Sequence, residues 1–130
     1  MIIRIPIRFE DSKGEKTLYT LFHRRATYSS ISEEKVEGLG ALMKLHTPLR
    51  LATASSATFM EINYRTTLDF YHDEVRLFNE FLVVPGLSEE AIIGAATMQK
   101  WRLKLDFEND QVIVDPRVAN LILINLIKKD

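Results

Sequence analysis

The chain of 130 residues contains no cysteine. Disulfides and thiolate metal sites are therefore excluded, which agrees with a reducing compartment such as the cytoplasm. It also lacks an excess of either charge: 17 Lys and Arg stand against 18 Asp and Glu, for a net charge of −1. A general nucleic-acid binder carries a basic excess, so no nucleic-acid partner is expected. Long apolar runs are missing as well. Leu121–Ile127 is interrupted by Asn125 and falls far short of the roughly 20 residues a membrane helix needs. At the other end, Met1–Ile7 alternates with Arg4 and Pro6 and lacks the unbroken core of a signal peptide. No membrane partner is expected. Repeats, low-complexity tracts and linkers are absent, so residues 1–130 are expected to form a single domain.

Familiar chemical constellations are equally scarce. His23, His46 and His72 lack metal-ligand spacing and read as lone surface histidines, so no metal and no cofactor is expected. Ser29 and Ser30 lack a Gly-x-Ser-x-Gly elbow, and His23 has no evident orienting acid. Asp11, Asp69, Asp73, Asp106, Asp110 and Asp115 read as turn formers or solvated charges. Met98 and Trp101, at helical spacing, read as core.

What the chain does contain is alternation. Ile3, Ile5, Ile7 and Phe9 are interleaved with Arg4, Pro6, Arg8 and Glu10, the period of a half-buried strand. Pro6 has no amide hydrogen and favours an edge. Asp11–Glu15 is a turn, and Lys16–Phe22 returns, so Ile3–Phe22 reads as a hairpin. Ser32 is placed to cap a short helical turn with Glu33 and Glu34 in its first turn, ended by Gly38-Leu39-Gly40. Met43–Leu51 is ambiguous, and Pro48 argues against a helix there. Leu49–Leu51 and Phe59–Tyr64 read as strands flanking the small, polar tip Ala52–Thr58. Met60–Phe70 and Val75–Val84 read as two further strands, stopped by Pro85-Gly86. Ala91–Gly94 reads as a short buried strand and Ala95–Trp101 as a helix. Leu103–Phe107 and Gln111–Val114 form a last hairpin, closed by Asp115-Pro116. Val118–Ile127 fits either a strand or a helix. The sum is mostly β, near a barrel or sandwich, with one helix in the C-terminal half.

One stretch departs from this regularity. Leu18–Phe22 is a strand that breaks into His23-Arg24-Arg25 and then Ala26-Thr27-Tyr28-Ser29-Ser30-Ile31. A rigid strand running into an exposed polar loop is a good place to present chemistry. Its tail, with Ala26, Thr27, Ser29 and Ile31, resembles the active-site loop of retropepsin-like aspartic proteases, in which an apolar strand delivers Asp-Thr-Gly-Ala-Thr. The resemblance extends in order along most of the chain. It takes in the N-terminal hairpin, a flap hairpin across Leu49–Tyr64, the long strand pair Thr66–Val84, Ile92-Ile93-Gly94, the helix Ala96–Trp101 and the last hairpin. Phe81–Leu87 followed by Ile92-Ile93-Gly94 and a Met-x-x-Trp helix is similar to single-domain bacterial and archaeal members. Ala95-Ala96 departs from the polar residue common after that glycine.

The resemblance implies a closed acid-protease barrel that forms a homodimer, with the substrate cleft lined by the flap residues Thr53, Ala54, Ser55, Ser56 and Ala57 and by Ile92, Ile93 and Gly94. It also places His23, Arg24 and Arg25 where the family carries Asp, Thr and Gly. Aspartic proteolysis needs two carboxylates sharing a proton, one from each protomer. An imidazole at position 23 does not reproduce that pair. No catalytic residue is therefore expected, and the implied role is a silent peptide-binding or structural module, with a peptide or protein as its ligand. Two rivals stand beside it: an active endopeptidase with an altered loop, and an anion-binding regulatory domain using Arg24 and Arg25. Glu33, Glu34 and Glu37 are the acids near enough in sequence to neutralise those arginines.

Overall fold

The computed structural model describes residues 2–52 and 59–119. Strand β1 (Ile3–Asp11) and β2 (Gly14–Phe22) pair in full antiparallel register from Ile3↔Phe22 to Asp11↔Gly14. β3 (Ser30–Ser32) leads into α1, the single turn Glu33–Val36. β4 (Met43–Ala52), β5 (Phe59–His72) and β6 (Val75–Val84) form an antiparallel run. β7 (Ala91–Ile93) precedes α2 (Ala95–Lys100). A separate hairpin, β8 (Lys104–Asp106) with β9 (Gln111–Ile113), is followed by a 3-10 turn at Pro116–Ala119.

The main sheet runs β1-β2-β7-β3-β6-β5-β4, and β1 also pairs with β5 through Arg8–Glu10 and Asp69–Tyr71. That second pairing closes six strands into a barrel and leaves β4 outside it, attached to β5. Closure removes the exposed sheet edges that an open arrangement would carry. Pro6 sits opposite Tyr19 on β1, away from the residues that pair with β5, so its missing donor disrupts no second ladder.

The barrel interior follows the period-two pattern of its strands. Ile3, Ile7 and Phe9 from β1 are buried with Leu18 and Phe22 from β2. Phe9, Phe70 and Phe81 meet at its centre with ring centroids 5.6–6.1 Å apart. Each such buried phenyl contributes about 1.5–3 kcal/mol relative to exposure. Met98 and Trp101 close one end, both in the core, and the Trp101 indole N–H donates to the Phe78 carbonyl at 2.9 Å.

Several local expectations change. Met43–Ala52 is strand throughout, passing Pro48 by a register shift between Lys44 and Leu49. A proline without a donor is accommodated where the ladder is already interrupted. β5 is longer than Met60–Phe70 at both ends, because its N-terminal half pairs with β4 and its C-terminal half with β1. Ser32 occupies the N-cap of α1, but its side chain makes no capping bond. His72 is not a lone surface residue. Its ring is half-buried, and Nε2 lies 2.5 Å from the Val112 carbonyl, tying the last hairpin to the end of β5. The segment Leu121–Ile127 and the tip Thr53–Thr58 lie outside the described residues.

Candidate functional site

The loop after β2 is held from behind by the backbone of β7 and α2. The amide of His23 donates to the Ile93 carbonyl at 3.1 Å, and the amide of Ala95 donates to the Ala26 carbonyl at 2.6 Å. Ser29, which is buried, accepts the Gly94 amide on its Oγ at 3.0 Å, and the same Oγ lies 2.5 Å from the Thr97 hydroxyl. The fit is close enough to require glycine. A Cβ on Gly94 would stand 2.6 Å from the carbonyl oxygens of both Ala26 and Tyr28.

Within the loop, His23 behaves as a turn-forming side chain. Its Nδ1 accepts the backbone N–H of Arg25 at 3.1 Å, and its carbonyl accepts the Ala26 amide at 3.1 Å. A backbone N–H only donates, so Nδ1 carries a lone pair and the ring proton lies on Nε2. Arg24 and Arg25 are exposed. The Arg24 guanidinium stands over the Phe107 ring, 5.1 Å from its centroid, a contact worth about 0.5–1 kcal/mol at an exposed position. Glu33, Glu34 and Glu37 do not neutralise the two arginines. Among the described residues the ion pairs join other groups, such as Lys35 with Glu90 at 3.3 Å and Arg4 with Glu89 at 2.6 Å. Glu33 and Glu34, in the first turn of α1, are exposed to solvent.

Beside the loop runs a groove of about 810 Å³. His23, Arg25, Thr27, Tyr28 and Ser30 contribute its polar lining. The apolar lining comes from Leu51 and Met60 of the β4–β5 arm, Leu82 and Val84 of β6, and Leu87. Ile92 lines the groove as well, while Ile93 is fully buried in the barrel core and Gly94 packs behind the loop. No Asp or Glu is among the described lining residues. A second recess of about 580 Å³ shares His23 and Arg25 and adds Arg24 and Phe107. Thr53, Ala54, Ser55, Ser56 and Ala57 lie outside the described residues. No group of three His, Cys, Asp or Glu side chains comes together among the described residues.

Sequence reading passed over the groove floor. Leu82 and Val84 pack with the fully buried Ile62 in a cluster separate from the barrel core, with Leu49, Leu51 and Met60 against it. The signal was present in Phe81-Leu82-Val83-Val84. Four apolar residues in a row bury both faces of a strand, here the core on one face and the groove floor on the other.

No protein-family model and no curated protein matches the sequence. Among solved structures, the retroviral protease-like domain of Ddi1 from Leishmania major superposes with a TM-score of 0.68 at 14% identity, over 88% of this chain and 89% of that one. This chain has the retropepsin-like fold. The EIAV protease, solved in complex with the inhibitor HBY-793, is also similar, with a TM-score of 0.61 at 15% identity over 80% of this chain and 91% of that one. Within the retropepsin-like fold, the loop at the end of β2 is the position at which the sequence resemblance places the catalytic Asp-Thr-Gly. Here that loop holds an imidazole ring and two guanidinium groups. No helix among the described residues is long and apolar enough to cross a membrane.

Proposed function

We propose that this chain is a proteolytically silent retropepsin-like module, a single domain over residues 1–130 that forms a homodimer and holds a peptide or protein segment in the groove beside His23–Thr27. The observation that carries the reading is the hydrogen bond from the Arg25 amide to His23 Nδ1. It commits the ring to structural work and leaves only a donor at Nε2. Proteolysis by this fold instead needs a carboxylate pair able to give and take one proton. The apolar wall of Leu51, Met60, Leu82, Val84 and Ile92 supports peptide binding, and Thr53–Ala57 in the flap complete the cleft in this reading. The inhibitor complex of EIAV protease supports it by likeness of fold. A cytoplasmic setting goes with the absence of cysteine.

The dimer carries an electrostatic condition. Two guanidinium groups about 4 Å apart across an axis repel by roughly 1 kcal/mol in water and about 4 kcal/mol at an effective dielectric of 20. Arg24 and Arg25 are exposed and free to splay, with Arg24 already drawn onto Phe107. The test is cleavage of a peptide library between acid and neutral pH. The native chain is expected to leave it intact, and the triple variant His23→Asp/Arg24→Thr/Arg25→Gly to cleave it. Cleavage by the native chain ends the proposal. Sedimentation of the native chain checks the dimer, which fails if a monomer persists at high micromolar concentration.

A further inference from the structure

Rebuilding the loop around His23 reverses the polarity of the groove. Where a carboxylate would offer acceptor atoms, positions 23 and 25 offer donors. His23 Nδ1 is occupied by the Arg25 amide, so Nε2–H is the ring atom left for a ligand, and it stays a donor if the ring gains a second proton. Arg25 lines the same groove, is exposed, and makes no ion pair with a carboxylate among the described residues. With no Asp or Glu in the described lining, no carboxylate among the described lining residues competes for these donors. Such a site is complementary to a carboxylate, which accepts from both groups at once.

The neighbourhood narrows the occupant. The groove joins the donor pair to the apolar floor of Leu82, Val84 and Met60; the second recess joins it to Arg24 and Phe107. His23 and Arg25 belong to both. A chain that places its carboxylate on them has room to continue in either direction. We infer that the groove selects an extended peptide segment with an internal Asp or Glu side chain seated on His23 Nε2–H and Arg25, flanked by apolar residues. This rests on the peptide-binding reading above and adds to it the charge of the ligand.

The test uses the full chain and three fluorescent peptides, each acetylated at the N-terminus. The first is Leu-Val-Glu-Val-Leu with an amidated C-terminus. The second replaces Glu by Gln. The third is the Gln peptide with a free C-terminal carboxylate. The Glu peptide is expected to bind at least about tenfold tighter than the Gln peptide, the scale of one charge-assisted hydrogen bond. Its advantage should shrink as salt rises. Arg25→Gln should reduce the preference to about threefold or less by removing the charge. His23→Asn, which keeps an acceptor for the Arg25 amide and a donor for the ligand, should retain most of it. Equal binding of the Glu and Gln peptides overturns the inference and leaves peptide binding standing. A gain seen only with the free carboxylate overturns it in favour of capture of a chain end. If none of the three binds, both readings fall.

Discussion

Replacing Gly94 by Ala should destabilise the protein by about 3–4 kcal/mol, and the cause should be steric. Gly94 has φ −95°, a value any residue adopts, so no backbone strain is introduced. The new methyl instead meets backbone. Its carbon would lie 2.6 Å from the Ala26 and Tyr28 carbonyl oxygens and 2.8 Å from the Tyr28 carbonyl carbon. Neither carbonyl moves easily, because both belong to the loop anchored by His23 and Ser29. Overpacking of this kind typically costs about 1–3 kcal/mol. Moving α2 outward to relieve it also lengthens the bonds from Ala95 N to Ala26 and from Gly94 N to Ser29, each worth about 1 kcal/mol. Gly86→Ala is the matched control. Gly86 has nothing within 4 Å of a built Cβ but a φ of +71°, so its cost is conformational and about 1 kcal/mol. Urea unfolding of both variants gives the comparison, with the midpoint shifting at constant slope. If Gly94→Ala costs no more than Gly86→Ala, the close packing of loop on helix is not what holds the site.

Ser29→Ala should cost about 2–3 kcal/mol by leaving the Thr97 hydroxyl and Gly94 amide buried without their partner. The double variant Ser29→Ala/Thr97→Val should cost less than the two single changes together, as read from thermal melts. The Arg117 side chain and amide hold the Asp115 carboxyl at about 2, below the ordinary 3.8. Because the folded value is depressed, this pairing contributes stability above about pH 4 and loses it as pH falls through 2. Arg117→Ala should return the Asp115 titration toward 3.8 in a carboxyl-carbon NMR experiment, and an unmoved titration rejects the pairing. The β5–β6 turn places Asp73 at φ 49° and Glu74 at φ 64°, conformations that a primed two-residue turn demands and glycine accepts most readily. Glu74→Gly should therefore raise the denaturation midpoint, by about 0.5–1 kcal/mol; a lower midpoint contradicts it.

Much of the fold was legible because strand alternation is local. The β1–β2 hairpin and β6 over Val75–Val84 follow from side-chain period and turn residues that lie beside one another in the chain. β4 was not legible, since Pro48 reads as a breaker and only pairing with β5 on either side of a register shift carries the strand past it. At the site, the run His23-Arg24-Arg25 after β2 was visible in the residues themselves. The tautomer of His23 was not, because it depends on where the Arg25 amide points.

By itself, the sequence determined the β1–β2 hairpin and β6, which of their faces are apolar, and that the chemistry of the β2 loop is cationic. Tertiary structure decided that the barrel closes through Arg8–Glu10 against Asp69–Tyr71, that Leu82 and Val84 floor a groove, and that Gly94 admits the loop against α2. Periodicity records how a residue faces its own strand. It holds no record of which distant strand lies alongside, since that choice is made by packing the whole chain at once.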